Sequence, residues 1–437
     1  MARALKNSGI IWIGSIPVNW QVQRNKICFD CSKEIVGENS SSTQLLSLTT
    51  KGIKEKRAEE TAGKVPESYD TYQVVVPDDI VMCLFDLDVS AVFSGKSSYY
   101  GMISPAYKVL KCIPDRIIPA FAEYWFSYIF DGRKFRHYAK NLRYTLNYDE
   151  FAVLPIVLPP VHEQKRIADF LDSVCFQIDK VIEQTRASIV EYKKLKQSVI
   201  TEAVTKGIRG DRPMKDSGFE WIGKIPMDWL ILRITRILDY SHPYPIGDGD
   251  HGLVKTEDYI DSGIPYIRVQ NVGWATPLDL NSVVYISTEI NEKIKNSVLR
   301  PGDVLFAKTG ATIGKTAIVP DSLPESNTTS HVGKITVDPR YSAKYVFYVL
   351  SSFVGYKQFW DIACQKTTRP ELSIEETKTI RILLPSERVE QDEIVSYLDI
   401  KCAEIDAMIE QKEHILVELQ KYKKSLVYEY VTGKKEA

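Results

Sequence analysis

Two stretches of this chain carry apolar residues at alternating intervals of three and four, the spacing of one face of an α-helix. The first stretch contains Ile167, Leu171, Val174, Ile178, Val181, Tyr192, Leu195 and Val199. The second contains Ile394, Leu398, Ile405, Met408, Ile415, Leu419, Tyr422 and Leu426. Prolines precede both stretches, and Gly207 and Gly433 follow them. Each stretch therefore predicts one helix of about 40 residues, or about 60 Å.

A helix of that length with one apolar stripe needs a partner along its length. The simplest partner is the other helix, packed antiparallel as an internal two-helix coiled coil about a pseudo-twofold axis. The alternative is that each stripe is buried against its own globular domain.

The sequence is also duplicated. The pattern Trp-Ile-Gly-x-Ile-Pro-x-x-Trp at 12–20 returns 209 residues later at 221–229. Much of the helical block 164–205 returns 227 residues later at 391–432. The two copies are alike at their edges and differ inside, which indicates one framework built twice to hold two different recognition surfaces.

The regions between the repeated blocks predict mixed α/β domains. Residues 73–76 and 79–82 read as strands separated by Pro77-Asp78, and 304–306 follows the turn 301–303. Each region ends in an aromatic-rich helix, at 121–130 and 345–350, whose rings we expect to form core. The predicted fold is α/β (α+β), with domain 1 at 1–157, helix 1 at 158–208, domain 2 at 209–383 and helix 2 at 384–437.

Composition narrows the range of functions. The formal net charge of the 437 residues is −1, which argues against a non-specific nucleic-acid coat or a polybasic membrane binder. A sequence-specific reader needs only a few placed cations, so it stays possible. Seven irregularly placed cysteines, no signal region and no apolar run near 18 residues predict a cytoplasmic protein with no membrane contact.

Motifs for catalysis are missing. The segment Gly310-Ala-Thr-Ile-Gly314-Lys315-Thr316 has three residues between its glycines, whereas a phosphate-binding P-loop has four. Strand-like flanks predict a β-hairpin with a Gly-rich turn instead. Cys28 and Cys31 have no second pair to complete a zinc site, and the histidines lack metal-ligand spacing. We predict no catalytic residues, no metal and no cofactor.

The duplicated order of motifs resembles the specificity (S) subunits of type I restriction-modification systems. The resemblance rests on the segments 12–20, 100–107, 158–172, 201–207, 221–229 and 301–315, and it covers essentially the whole chain. The second copy departs from it at 384–391, where a single proline replaces the double proline 159–160.

The resemblance implies two target-recognition domains joined by conserved helices, with no catalytic activity in this subunit. It implies double-stranded DNA as the ligand, read as a bipartite asymmetric site. Its implied partners are two methyltransferase (M) subunits, and two restriction/motor (R) subunits in the full complex.

Cationic, amide and hydroxyl side chains in the variable regions are the candidates for DNA contact, because such groups anchor phosphates and read base edges. For the basic segment at 133–144, the alternative is a solvated helix face. The candidates are Lys51, Arg133, Arg136, Lys140, Arg143, Arg268, Gln270, Lys308, Thr309, Lys315, Gln365, Thr367, Thr368 and Arg369.

Two other classes of function remain open at this point. An active DNA methyltransferase or nuclease would need catalytic motifs, and none is found in the sequence. A non-DNA coiled-coil scaffold carrying two binding modules would show no sequence-dependent binding to any duplex.

Overall fold

A computed structural model describes residues 3–31, 33–56, 68–87, 89–138, 144–365 and 370–437. The chain divides into two compact units. Unit 1 comprises residues 1–186 and 414–437, and unit 2 comprises residues 187–413. Each unit contains one mixed α/β domain and part of each long helix.

The α-helices of the described residues follow the predicted order. They are α1 (Pro119–Asp131), α2 (Tyr148–Ala152), α3 (Val161–Lys206), α4 (Thr288–Lys293), α5 (Ala343–Ser351), α6 (Phe353–Ala363), α7 (Ile374–Thr377) and α8 (Arg388–Val431). The long helices α3 and α8 contain 46 and 44 residues. The aromatic helices α1 and α5 lie where the sequence predicts them, and their rings form core, as in Trp125 and Tyr345.

Unit 1 is built on short antiparallel pairs. Its strands are β1 (Leu5–Asn7), β2 (Ser15–Pro17), β3 (Gln21–Arg24), β4 (Phe29–Asp30), β5 (Leu46–Thr49), β6 (Gly52–Glu55), β7 (Gln73–Val75), β8 (Ile80–Met82), β9 (Ser94–Lys96), β10 (Gly101–Ile103), β11 (Lys108–Cys112) and β12 (Pro155–Leu158). A four-stranded sheet in the order β4-β11-β8-β9 lies at the centre, and β5 and β6 form a hairpin. The predicted strands at 73–76 and 79–82 are confirmed as β7 and β8.

Unit 2 has a larger sheet system. Its strands are β13 (Met214–Asp216), β14 (Lys224–Pro226), β15 (Leu230–Arg233), β16 (Ile246–Asp248), β17 (Ile264–Ile267), β18 (Val284–Ile286), β19 (Val304–Ala307), β20 (Thr316–Ile318), β21 (Asn327–Thr328), β22 (Val332–Ile335) and β23 (Arg381–Leu384). One sheet has the order β16-β22-β19-β20, and all its pairs are antiparallel. A second sheet has the order β18-β17-β21, in which β17 and β21 run parallel.

Within each unit α3 and α8 are joined by the same ion pair. In unit 2, Lys196 of α3 contacts Asp406 of α8 at 2.7 Å. In unit 1, Lys423 of α8 contacts Asp179 of α3 at 2.6 Å. The two lysines differ by 227 residues, as do the two aspartates, so the sequence repeat is also a repeat of contacts. In both pairs the residue numbers add up to 602, which is the signature of one antiparallel register.

The predicted apolar stripe is only partly right. Leu195, Ile415 and Tyr422 are exposed, whereas the buried positions include Ile182 and Ile189. Near its start α3 also buries residues in the core of its own domain, which was the alternative prediction. A helix that faces both another helix and a domain buries a wider, shifting face than a two-helix seam requires.

A buried carboxylate anchors the start of each long helix. Glu163 accepts hydrogen bonds from Trp20 Nε1 (2.8 Å) and Asn19 Nδ2 (2.7 Å), and it forms an ion pair with Arg3. In unit 2, Glu390 accepts a bond from Trp229 Nε1 (3.3 Å) and pairs with Arg212. An unpaired buried charge is strongly destabilising, so each copy of the buried glutamate requires its tryptophan and arginine partners.

Other repeated side chains tie the helices to the domains. The Gln164 amide donates to the carbonyl oxygens of Arg116 and Pro159, both at 2.9 Å, and its oxygen accepts from Ile118 N. Gln391 makes the equivalent bond to Pro385 O at 3.1 Å. Tyrosine hydroxyls reach Asp172 in unit 1 (2.7 Å) and Asp399 in unit 2 (2.6 Å). The repeated residues are therefore explained by contacts between helix and domain.

We predict that Glu163→Gln destabilises the protein by about 2 kcal/mol at pH 7, because a neutral amide cannot satisfy Arg3 and Trp20 equally. Burial alone raises the pKa of Glu163, but bonds from Arg3, Trp20 and Asn19 outweigh it and hold that pKa below its ordinary value. The stabilisation is therefore complete above an ordinary glutamate pKa of about 4.3 and is lost as pH falls through the lower folded value.

Urea unfolding of wild type and variant between pH 7 and pH 3 measures this effect. The difference in unfolding free energy should shrink in acid. Glu183→Gln, at an exposed position of the same helix, is the matched control and should change little. A Glu163 variant as stable as wild type at pH 7 would contradict the anchor.

Candidate nucleic-acid interface

In unit 2 the sheet topology brings several loops to one edge. Strand β16 ends at Asp248 and β19 ends at Ala307, while β20 begins at Thr316 and β22 begins at Val332. Because these four strands alternate in direction, those ends lie at the same edge of the sheet. The loops after 248, between 307 and 316, and before 332 therefore form one surface.

The Gly-rich segment 308–315 is the turn of a hairpin, as predicted. Strand β19 pairs with β20, with Val304 opposite Ile318. No room exists for a side chain at Gly314, whose φ is 91°, because an added Cβ would lie 2.6 Å from the Tyr356 ring. The flanks are strands on both sides, so the strand-loop-helix context of a P-loop is not present at this segment.

A further backbone connection joins this hairpin to the segment that follows α6. Gly310 N donates to Pro370 O and Leu372 N donates to Lys308 O, both at 2.9 Å. Gln365 is exposed at the end of α6. The predicted DNA contacts Thr367, Thr368 and Arg369 lie outside the described residues.

Two of the predicted contact residues are buried. Lys308 forms a buried ion pair with Asp248, whose carboxylate also lies 3.0 Å from Nε2 of His251. The hydroxyl of Thr309, also buried, lies 3.3 Å from His331 Nδ1. Neither side chain is presented to a ligand in this arrangement. From sequence, a lysine in a Gly-rich turn is expected to be an exposed cation. Here it is buried, because Asp248 at the end of β16, two strands away in the sheet, pairs with it.

The other described candidates of unit 2 differ in how available they are. Arg268 is half-buried, donates to Ser282 O (2.8 Å) and lies over the Tyr259 ring at 5.8 Å. Gln270 is exposed and Lys315 is half-buried. Arg268 is therefore held by the fold, whereas Gln270 and Lys315 remain available for a ligand.

In unit 1 the candidates are more scattered. Lys51 is exposed at the turn between β5 and β6. Arg133, with a φ of 49°, donates to Leu87 O (2.6 Å) and stacks over the Phe130 ring at 4.7 Å, so it supports the loop after β8. Arg136 is exposed and lies 5.1 Å over the Tyr144 ring. Lys140 and Arg143 lie outside the described residues.

Three further groups at the loop surface of unit 2 have no distinguishing signal in the sequence. His251 and His331 are exposed beside the buried Lys308–Asp248 pair. Trp274 is 49% exposed and follows the loop that contains Gln270. Isolated histidines and tryptophans are ordinarily structural. The sheet topology places the two histidines on the surface of the predicted contacts, and the bridge between Trp274 and Thr316 places the tryptophan beside the hairpin.

A metal site, a reactive thiol or a membrane-spanning helix would indicate a different function, and the groups below, all in the described part of the chain, provide none of these. No group of three or more His, Cys, Asp or Glu side chains there is arranged to hold a metal ion. Cys28 is buried, and burial raises the pKa of its thiol to about 11, against a smaller opposing effect of Arg116. None of the described helices is long and apolar enough to span a membrane.

Comparison with known proteins agrees with this architecture. Residues 253–419 match the family model of the type I restriction modification DNA specificity domain. The specificity subunit of the type I restriction enzyme MjaVIII of Methanocaldococcus jannaschii is 25% identical over 288 residues, which cover 65% of this chain and 63% of that protein. The EcoBI specificity subunit of Escherichia coli is 28% identical over 286 residues, covering 63% and 57%.

The same fold is found among solved structures. A chain from a study of complex assembly and conformational transition of the type I R-M system superposes with a TM-score of 0.70 at 16% identity, covering 96% of this chain and 99% of that one. The matched segments span less than two thirds of the two curated relatives.

These findings define a protein with two mixed α/β domains on a duplicated pair of long helices. The predicted resemblance to type I specificity subunits is confirmed by these relatives and by the match of residues 253–419 to the DNA specificity domain.

We predict opposite effects for two lysines of the hairpin. Lys308→Met should destabilise unit 2 by about 3–5 kcal/mol, because it leaves Asp248 buried without its partner. Lys315→Met should leave stability unchanged but weaken DNA binding, and it should lower the slope of log affinity against log salt by about one.

Thermal unfolding and salt-dependent binding of both variants to target DNA distinguish the two roles. If Lys308→Met kept full stability while its salt slope fell, Lys308 would be a phosphate contact, contrary to the geometry.

Proposed function

We propose that the chain is the sequence-specific DNA-binding specificity subunit of a type I restriction-modification enzyme. In this proposal each domain reads one half of a bipartite asymmetric site. The chain itself has no catalytic role. It positions two methyltransferase subunits and, in the full complex, two restriction/motor subunits on double-stranded DNA in the cytoplasm.

The duplicated framework with unlike loops is the observation that carries this proposal. Glu163 and Glu390 each pair with an arginine, and Lys423 and Lys196 each pair with an aspartate of the other long helix. The loop surfaces differ: unit 1 presents the short turn at Lys51, and unit 2 presents the hairpin around Lys315. A protein that holds two different surfaces on identical supports is suited to read two different half-sites.

Repeated exposed apolar residues on the helices support the proposed partners. Each unit has three such residues, and each lies 227 positions from its counterpart in the other unit. They are Val181, Val417 and Tyr422 in unit 1, and Met408, Val190 and Leu195 in unit 2. Apolar exposure that recurs at equivalent positions suits one methyltransferase subunit per unit.

A domain exchange tests the independence of the two readers. Replacing residues 22–155 with the corresponding region of a related chain should change one half of the recognised sequence and preserve the other, because the unit 2 loops are untouched. Sequencing of modified bases in cells that express the hybrid with the methyltransferase partner measures the outcome. A simultaneous change in both halves would refute independent reading.

An insertion tests whether helix length sets the unread spacer. The repeated segment that begins at Thr201, near the end of α3, is an unsuitable site for the insertion. Ile200, Ala203 and Val204 are buried in the core of unit 2, so an insertion there would disturb packing. The better place is between Arg186 and Ala187, with a matching insertion between Glu413 and His414, where the two units divide.

Four residues in each helix add about 6 Å, and base pairs are spaced by about 3.4 Å, so the spacer should grow by one or two base pairs. Two-residue insertions rotate the buried face by about 200° and should abolish DNA methylation by the assembled complex. Methylation mapping of both variants gives the answer. An unchanged spacer in an active four-residue variant would mean that the helices join the readers without measuring their separation.

A further inference from the structure

One lysine of the helix pair in unit 2 also holds a loop of the second domain. Lys196 of α3 has only 8% of its side chain exposed. Its ammonium group donates to the Asp406 carboxylate of α8 (2.9 and 2.7 Å) and to the carbonyl oxygen of Ala275 (2.9 Å). A lysine has three donors and no acceptor. Its hydrogen bonds therefore connect both long helices to the loop at 273–276.

The loop adopts a conformation that needs outside support. Ala275 has a φ of 53°, in the left-handed region that residues with a Cβ rarely occupy. The lysine bond to the Ala275 carbonyl fixes the orientation of the peptide at this point. Removing that bond leaves the alanine free to return to an ordinary backbone conformation, and the neighbouring residues would turn with it.

This loop lies against the Gly-rich hairpin. Thr316 N donates to Gly273 O at 3.0 Å, and Trp274 and Thr316 form an isolated parallel β-bridge. The Trp274 ring lies 6.1 Å from the Tyr356 ring, and both rings lie close to Gly314. The loop therefore places a half-exposed indole against Gly314 and Thr316, the residues on either side of Lys315. An aromatic ring beside a cation can pack on a sugar or base while the cation holds a phosphate.

We infer that Lys196 is a positioning residue for recognition of the second half-site. It acts by fixing the 273–276 loop, so that Trp274 and the hairpin at 308–315 form one DNA-contacting surface. This inference rests on the proposed DNA-binding function and deepens it. It connects the helix pair of unit 2 to the reading surface of the same unit.

The sequence repeat supplies a matched control. Lys423 is the counterpart of Lys196, and it pairs with Asp179 at 2.6–2.7 Å. Its side chain is 32% exposed, and among the described residues it has no hydrogen bond to a loop carbonyl. Lys196→Met and Lys423→Met therefore each remove one of two equivalent interhelical ion pairs, but only Lys196→Met also removes a hydrogen bond to a loop.

The test uses the full chain assembled with its methyltransferase partner. Binding of wild type, Lys196→Met and Lys423→Met is measured on target duplexes that carry single base changes in either half-site. In Lys196→Met, discrimination in the second half-site should fall by at least about fivefold, the lower end of the effect of one base contact, and discrimination in the first should stay intact. Lys423→Met should alter binding to all duplexes by one common factor or not at all.

Hydrogen exchange of the free chain gives a readout that does not depend on DNA. Lys196→Met should increase exchange at 273–276 and at the hairpin, and Lys423→Met should not. Adding Ala275→Gly to Lys196→Met should restore part of the discrimination, since glycine accepts a positive φ at no steric cost.

Equal effects of the two methionine variants on exchange and on discrimination would overturn the inference. A wild-type complex without sequence-dependent binding would instead overturn the proposed function on which it rests. Because the exchange experiment needs no DNA, it separates these two failures.

Discussion

The buried carboxylate at the start of each long helix is the contact on which the rest of the molecule depends. Glu163 and Glu390 are 7% and 1% exposed. Each binds a tryptophan and an arginine from the segment that begins its half of the chain. Gln164 and Gln391, the residues that follow these glutamates, donate to the backbone carbonyl oxygens of Arg116 and Pro385. Since a buried charge without partners is strongly destabilising, the residues around each carboxylate constrain one another, and this explains why they recur together.

With the helix starts fixed, the domains are free to differ at their loop edges. A sheet edge contributes little to the core, so its loops tolerate changes that the framework does not. The hairpin at 308–315 in unit 2 and the turn at Lys51 in unit 1 show the result. The same supports therefore carry chemically different surfaces.

The sequence predicted the framework better than the site. Periodicity and duplication were enough to predict two long helices, the Gly-rich hairpin and the aromatic core helices, because those features follow from local spacing. The contacts of Lys308 were not predictable, because its partner Asp248 is 60 residues away along the chain and becomes its neighbour only through the sheet.

The same limit applies to the apolar stripe of the long helices and to Trp274, which is not among the contacts predicted from the sequence. Leu195 and Tyr422 fit a helical period, yet they lie at the surface because the domains as well as the partner helix decide which face is buried. Trp274 had no signal in the sequence, since its exposure depends on a loop held by Lys196. The DNA-binding roles of Lys51, Arg136, Gln270, Lys315 and Gln365 stay predictions, and so do those of the candidates outside the described residues.

The central claim is that one chain holds two independent DNA readers on a duplicated framework. Its most direct test is to express the chain with its methyltransferase partner in a host without other modification and to map every methylated base in the genome. The account predicts one asymmetric motif made of two unlike half-sites, separated by a fixed number of unread bases. A single uninterrupted motif, or two identical half-sites, would contradict it.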